Sequence, residues 1–182
     1  GPADVATDGR YVMIEGRRLR VHVHGAAGSP IVAIHGIPGD GATFRALGVR
    51  LGSTARLFSP DLLGFGESSD APLGAHADAH ARTTLGVLDA LRLERVHLVG
   101  FDFGGPISVL LAARAPNRVA SLTLAATNLF PDTPVPVPLR IARVPWLGDL
   151  FFRLAFGRLG LAAMWAFATG DRRAFPFRRY RR

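Results

Sequence analysis

Along the first 130 residues, apolar positions come in short runs separated by longer amphipathic stretches. Tyr11 to Glu15 and Arg18 to His24 alternate. In the second, Leu19, Val21 and Val23 fall on one face and Arg18, Arg20, His22 and His24 on the other, which is the period of a strand. Gly16-Arg17 between them suits a tight turn. Ile31 to Ile34 is instead continuously apolar, as expected of a strand buried on both faces. The pattern then alternates: a helix around Thr43 to Leu51, a strand at Arg56 to Ser59, a helix around Ala77 to Leu91, and a strand at Val96 to Val99. A helix opens near Gly104 to Pro106, and a strand follows at Ser121 to Ala125. Helices between buried strands imply right-handed parallel crossovers. The pattern predicts an α/β fold, a mostly parallel sheet of about six strands that opens with an antiparallel pair and carries helices on both faces.

After Asn128 the texture changes. Pro131, Pro134, Pro136 and Pro138 break helix and central strand alike and predict a rigid extended connector. Leu150 to Phe167 is strongly apolar but interrupted by Arg153 and Arg158, which falls short of a clean membrane span. Helical cap material is the favoured reading there, and an interfacial membrane helix the less favoured one. Gly1-Pro2 and the small polar residues after it read as a cloning scar and flexible leader. This texture divides the chain into a leader at 1–10, a core at 11–128, and a connector with helical cap material at 129–182.

Of the 182 residues, 48% are hydrophobic and 20% charged, enough for one sizeable core. The absence of cysteine excludes disulfides and thiolate metal sites, and a cytoplasmic location is the default expectation. The net charge of +8 is unevenly placed: residues 1–128 carry 12 Arg against 11 acidic residues, residues 129–182 carry 10 Arg against 3 Asp. All basic residues are Arg, and no aromatic-interleaved motif accompanies them, so nucleic-acid binding is not expected. His76 and His80 have the i, i+4 spacing of a metal pair, but no third ligand accompanies them, and a solvated helix face is the expected reading. Neither a metal nor a cofactor is expected.

Three short motifs each follow a strand, at the end where open α/β sheets place ligands. They are His35-Gly36-Ile37-Pro38, then Asp61-Leu62-Leu63-Gly64-Phe65-Gly66-Glu67-Ser68-Ser69-Asp70, then Gly100-Phe101-Asp102-Phe103-Gly104-Gly105. The third has the form of a nucleophile elbow, in which the central residue takes a strained backbone conformation and its glycine neighbours avoid clashes. Aspartate is among the non-glycine residues that best tolerate positive φ. An isolated Asp102 would be read as a helix cap. With the other two motifs upstream, the nucleophile is preferred.

Together, over residues 11 to 128, these residues resemble the α/β-hydrolase superfamily. Within it, His-Gly-x-Pro with an aspartate in the elbow looks most like the epoxide hydrolase and haloalkane dehalogenase branch, whereas esterases and lipases carry serine. The resemblance implies that Asp102 attacks an electrophilic alkyl carbon of a small hydrophobic substrate to give an ester that water then hydrolyses. It also implies that backbone N–H groups of Ile37 and Phe103 form the oxyanion hole, with His35, Gly36, Pro38, Gly100, Gly104 and Gly105 shaping the motifs. Dehalogenases of this type place indole or amide donors where Ile37 and Phe103 stand, and these two side chains donate nothing. Epoxide hydrolysis is therefore preferred and dehalogenation kept as the alternative, with Trp146 and Trp165 as candidate pocket residues. Epoxide hydrolases draw protons from cap tyrosines, and only Tyr180 follows the elbow.

The resemblance also implies a histidine base and an orienting acid on later strands. Of the histidines at 22, 24, 35, 76, 80 and 97, none matches the base, and Asn128 and Asp132 match the acid position only loosely. Three expectations follow, with truncation within the cap placed first: a truncated chain, a degenerate protein, or a split hydrolase whose second chain or dimer partner covers the last sheet edge. A non-catalytic hydrolase-like binding protein is the reading from a different class.

Overall fold

A computed structural model describes residues 8–52, 54–71, 76–130, 140, 144, 147–155, 157–168, 170 and 173. The chain divides into two units, Gly1–Pro131 and Asp132–Arg182.

The first unit is built on six strands: β1 (Asp8–Ile14), β2 (Arg17–His24), β3 (Ser29–Ile34), β4 (Ala55–Pro60), β5 (Val96–Phe101) and β6 (Val119–Ala125). Three helices join them: α1 (Arg45–Leu51), α2 (Ala77–Ala90) and α3 (Gly104–Arg114), with a short 3-10 turn at Gly41–Phe44 leading into α1. The strand order is β1-β2-β4-β3-β5-β6. β1 and β2 pair antiparallel, as do β2 and β4, whereas β3–β4, β3–β5 and β5–β6 are parallel. This is the α/β architecture that the sequence pattern predicts.

The alternation of side chains along each strand divides the core in two. Val32 and Ile34 of β3, Phe58 of β4 and Leu98 of β5 point into one apolar cluster with Val87 and Leu88 of α2 and Ile107 and Leu111 of α3. Ala33 and Leu57 point the other way, to Phe44, with Leu51, Ile31 and Val99 at its margin. β3 is thus buried on both faces, which is why its sequence is continuously apolar. β2 follows its period on one face, with Leu19, Val21 and Val23 in the larger cluster. Its other face, which carries Arg18, Arg20, His22 and His24, is not an open surface at its end. His24 is buried against α1, where an added Cβ on Gly48 would meet its ring, and His22 is only partly exposed. The 3-10 turn and α1 cover this end of the face, and alternation alone does not reveal whether a helix will do so.

β6 lies at the sheet edge and is largely exposed, including Leu122 and Leu124. Among the described residues the second unit includes the helices α4 (Leu147–Ala155) and α5 (Arg158–Ala168), in the region where the sequence predicts helical cap material. Gly157, which interrupts the apolar run, immediately precedes α5. No helix among the described residues is long and apolar enough to cross a membrane.

Candidate active site

β3 and β5 are neighbours at the centre of the sheet, and the connections that leave them run to opposite sides, β3 to β4 and β5 to β6. Such a reversal opens a crevice at the carboxyl ends of the two strands. The segment after β3 carries His35 to Pro38, and the turn after β5 carries Asp102.

Asp102 has φ +50, a left-handed conformation that costs a non-glycine residue about 1–2 kcal/mol. Three hydrogen bonds hold it there. Its N–H donates to the Ala125 carbonyl at 3.1 Å, and its own carbonyl accepts from Gly105 N–H at 3.0 Å and from the Thr127 hydroxyl at 2.6 Å. The close approach of β3, β5 and α3 at this point explains the glycines of the motif. A Cβ on Gly100 would come within 2.7 Å of the Gly104 carbonyl, and one on Gly104 or Gly105 would strike the Ile34 carbonyl or the Thr127 side chain.

The turn presents a partly exposed carboxylate to the segment after β3, and Ile37 N–H donates to its Oδ2 at 3.0 Å. Gly36 is packed against the same carboxylate so closely that an added Cβ would overlap it. The structure thus brings Asp102, Gly36 and Ile37 together. Pro38 follows through a cis peptide bond. Phe103 caps α3 in the right-handed region, φ −62 and ψ −24, and no hydrogen bond from its N–H to the Asp102 carboxylate occurs among the described residues. Trp165 lies in α5, half-buried and engaged in contacts of its own, while Trp146, Asp132 and Tyr180 fall outside the described residues. Asn128 is exposed, and its side-chain oxygen accepts from Phe130 N–H at 3.0 Å.

None of the six histidines hydrogen-bonds to Asp102. His35 is fully buried. Its Nε2 accepts from Leu62 N–H at 3.0 Å, so the ring proton is on Nδ1, which donates to the Gly36 carbonyl at 2.9 Å. Burial depresses its pKa below the ordinary 6.5, and the Gly36 carbonyl and the Asp61 carboxylate only partly offset this. His97 bonds to the Ser121 hydroxyl across β5 and β6 at 2.7 Å.

His80 contradicts the expectation of a solvated helix face. His76 is exposed at the cap of α2, but His80 is 3% exposed and packs edge-to-face against Phe103, the residue after Asp102, at 5.7 Å between ring centres. Its Nδ1 is buried without a partner, and burial followed by the nearby His35 lowers its pKa. The sequence does carry a signal for this: His80 heads the stripe Thr84, Val87 and Leu88, all buried, at helical spacing. The i, i+4 relation to His76 draws attention to the wrong neighbour. Among the described residues, no group of three or more His, Asp or Glu side chains is arranged to hold a metal.

The second motif forms a turn stapled to β2. Asp61 is buried, and its carboxylate accepts from His22 Nε2 at 2.9 Å, from Gly41 N–H at 2.8 Å and from Glu67 N–H at 2.9 Å. The Ser68 hydroxyl donates to the Asp61 carbonyl at 2.7 Å and accepts from Arg20 N–H at 3.0 Å, and the Ser69 hydroxyl accepts from Arg18 N–H at 3.1 Å. Gly66, at φ +54, leaves room for the Asp61 carboxylate, which a Cβ there would strike.

Comparison with known proteins agrees with this architecture. Residues 29–168 match the family described as the alpha/beta hydrolase fold. The chain is 41% identical over 133 residues to a 2-hydroxymuconate semialdehyde hydrolase of Pseudomonas sp. strain CF600, covering 69% of this chain and 46% of that protein. It is 37% identical over 116 residues to haloalkane dehalogenase 2 of Mycobacterium tuberculosis, covering 63% and 41% respectively. The crystal structure of the haloalkane dehalogenase DatA from Agrobacterium tumefaciens superposes with a TM-score of 0.75 at 26% identity, covering 95% of this chain and 61% of that one. The chain spans about half the length of the curated relatives it matches. The chain belongs to the α/β-hydrolase fold family.

Proposed function

We propose that Asp102 is the nucleophile of a hydrolase that attacks an electrophilic alkyl carbon through an ester intermediate, with epoxides as the favoured substrate class. The observation that carries this reading is the hydrogen bond from Ile37 N–H to Asp102 Oδ2 at a residue held at φ +50. The oxyanion donor is occupied by the protein's own carboxylate oxygen. That arrangement suits a site where the oxyanion develops on the aspartyl group itself, during hydrolysis of an aspartyl ester, rather than on a substrate carbonyl.

Oδ1 attacks an epoxide carbon, the carbon–oxygen bond of the ring breaks, and the ring oxygen takes a proton from solvent, which leaves a 2-hydroxyalkyl ester on Asp102. Water then adds to Cγ, the negative charge gathers on Oδ2 beside Ile37 N–H, and loss of the alkyl oxygen with a proton releases a diol. Among the described residues no histidine stands against Asp102 to act as base for the second step. The adduct is therefore expected to accumulate.

The dehalogenase reading is supported by the 37% identical relative and the DatA structure. Against it, neither Ile37 nor Phe103 offers a side-chain N–H to a departing halide. Incubation with styrene oxide and, separately, with an alkyl bromide, followed by intact-mass measurement and peptide mapping, tests both. The epoxide is expected to add its full mass at Asp102. An adduct from the bromide alone would shift the assignment to dehalogenation, and no adduct from either would remove Asp102 from the nucleophile's role.

A further inference from the structure

We infer that Asp61, held by His22, is a positioning residue for the oxyanion donor Ile37; the inference rests on the reading of Asp102 as the nucleophile. Ile37 lies in the segment His35 to Gly41, and two consecutive residues of the second motif tie down both ends of that segment. At its start, Leu62 N–H donates to His35 Nε2 at 3.0 Å. At its end, Gly41 N–H donates to Asp61 Oδ1 at 2.8 Å. Between these ties the segment is closed on itself by Gly39 N–H to the Gly36 carbonyl at 2.8 Å. The donor to Asp102 is therefore carried on a short loop with fixed ends.

Asp61 is a costly choice for a mere connection, because a carboxylate 1% exposed is tolerated only when donors surround it. Three donors converge on it from three different elements. His22 comes from β2, Gly41 from the loop that carries Ile37, and Glu67 from the turn after Asp61. An uncharged side chain of the same shape cannot accept all three. The carboxylate thus fixes the loop to β2 and to the turn at once, which a hydrophobic residue at this point would not do. His22 donates through Nε2 and is itself only partly exposed, so it orients the carboxylate rather than solvating it.

Asp61→Asn keeps the shape and turns an NH2 group toward one of the three donors. Hydrogen–deuterium exchange of the Ile37 amide, followed by NMR in the intact chain, is expected to accelerate about tenfold, and labelling of Asp102 by styrene oxide to slow about tenfold. Ser59→Ala serves as the comparison. It removes a buried hydrogen bond of β4 to the Ala33 carbonyl but none of the hydrogen bonds that hold the His35 to Gly41 loop, and is expected to leave both rates at wild-type values. Ile37 exchange at the wild-type rate in Asp61→Asn overturns the inference, and so does equal acceleration in both variants, which would mean general loosening. If Asp61→Asn does not fold, His22→Phe removes one donor and leaves the carboxylate. Its Ile37 exchange is expected to accelerate severalfold, and an unchanged rate overturns the inference. A wild-type chain that never labels would sink the nucleophile reading, while the exchange measurements would still decide the positioning role.

Discussion

Gly36→Ala is expected to slow covalent labelling of Asp102 about a hundredfold or more while leaving most of the fold in place. A Cβ at position 36 would lie on the Asp102 side chain, 2.8 Å from its Cγ and closer still to Cβ and Oδ2. Asp102 cannot retreat, because its backbone is held by Ala125, Gly105 and Thr127. The loop must therefore move, and it takes Ile37 N–H with it. A displacement of about 1 Å in a reacting group costs about a hundredfold in rate, whereas overpacking of this size costs about 1–3 kcal/mol in stability. Labelling kinetics by intact mass, run beside a thermal melt, separate the two effects. Wild-type labelling in a folded Gly36→Ala chain would show that this close approach plays no part in the chemistry.

The second large effect is on stability in mild acid. His24, His35 and His80 are all buried, and burial is the main cause that lowers the pKa of each below 6.5. His24 is pushed further by His22 and Arg45, and both of its ring nitrogens lack partners. In the unfolded chain the same groups take up a proton as pH falls through 6.5, while in the folded chain burial displaces that uptake to lower pH. The unfolded state then binds more protons, so stability is fully present above pH 6.5 and declines below it, by at most about 1.4 kcal/mol per pH unit for each histidine. Urea midpoints should fall clearly between pH 7.5 and pH 5.5, and His24→Leu should flatten the dependence. A midpoint that does not move across this range would contradict the neutral, buried state of the three rings.

The architecture was legible because period and run length carry it: strand alternation in β2, the continuous apolar run of β3, and the punctuation by Gly and Pro placed all six strands within a few residues. The glycines around Asp102 were legible for a similar reason, since close backbone approach leaves few residue types available. Burial of polar side chains was not. His24 sits at a position where the local pattern permits solvent, and only the packing of α1 over β2 decides otherwise; the stripe that His80 heads marks it as inward-facing, but nothing in the sequence places it beside Phe103. The second motif was visible as a string of Asp, Gly and Ser, but its function was not, because the partners of Asp61 come from positions 22, 41 and 67. Hydrogen bonds of that kind leave no periodic trace in a sequence.

The bond between Ile37 and Asp102 joins residues 65 positions apart, on strands that become neighbours only after β4 and α2 have been laid down between them. The β1–β2 hairpin can form early from local contacts, but this junction must wait for a long loop to close and for parallel strands to pair, both slow steps. The uncommon backbone conformation of Asp102 has the same dependence, since the carbonyl that receives its N–H belongs to β6. The arrangement around Asp102 is therefore expected to be among the last features this chain acquires as it folds.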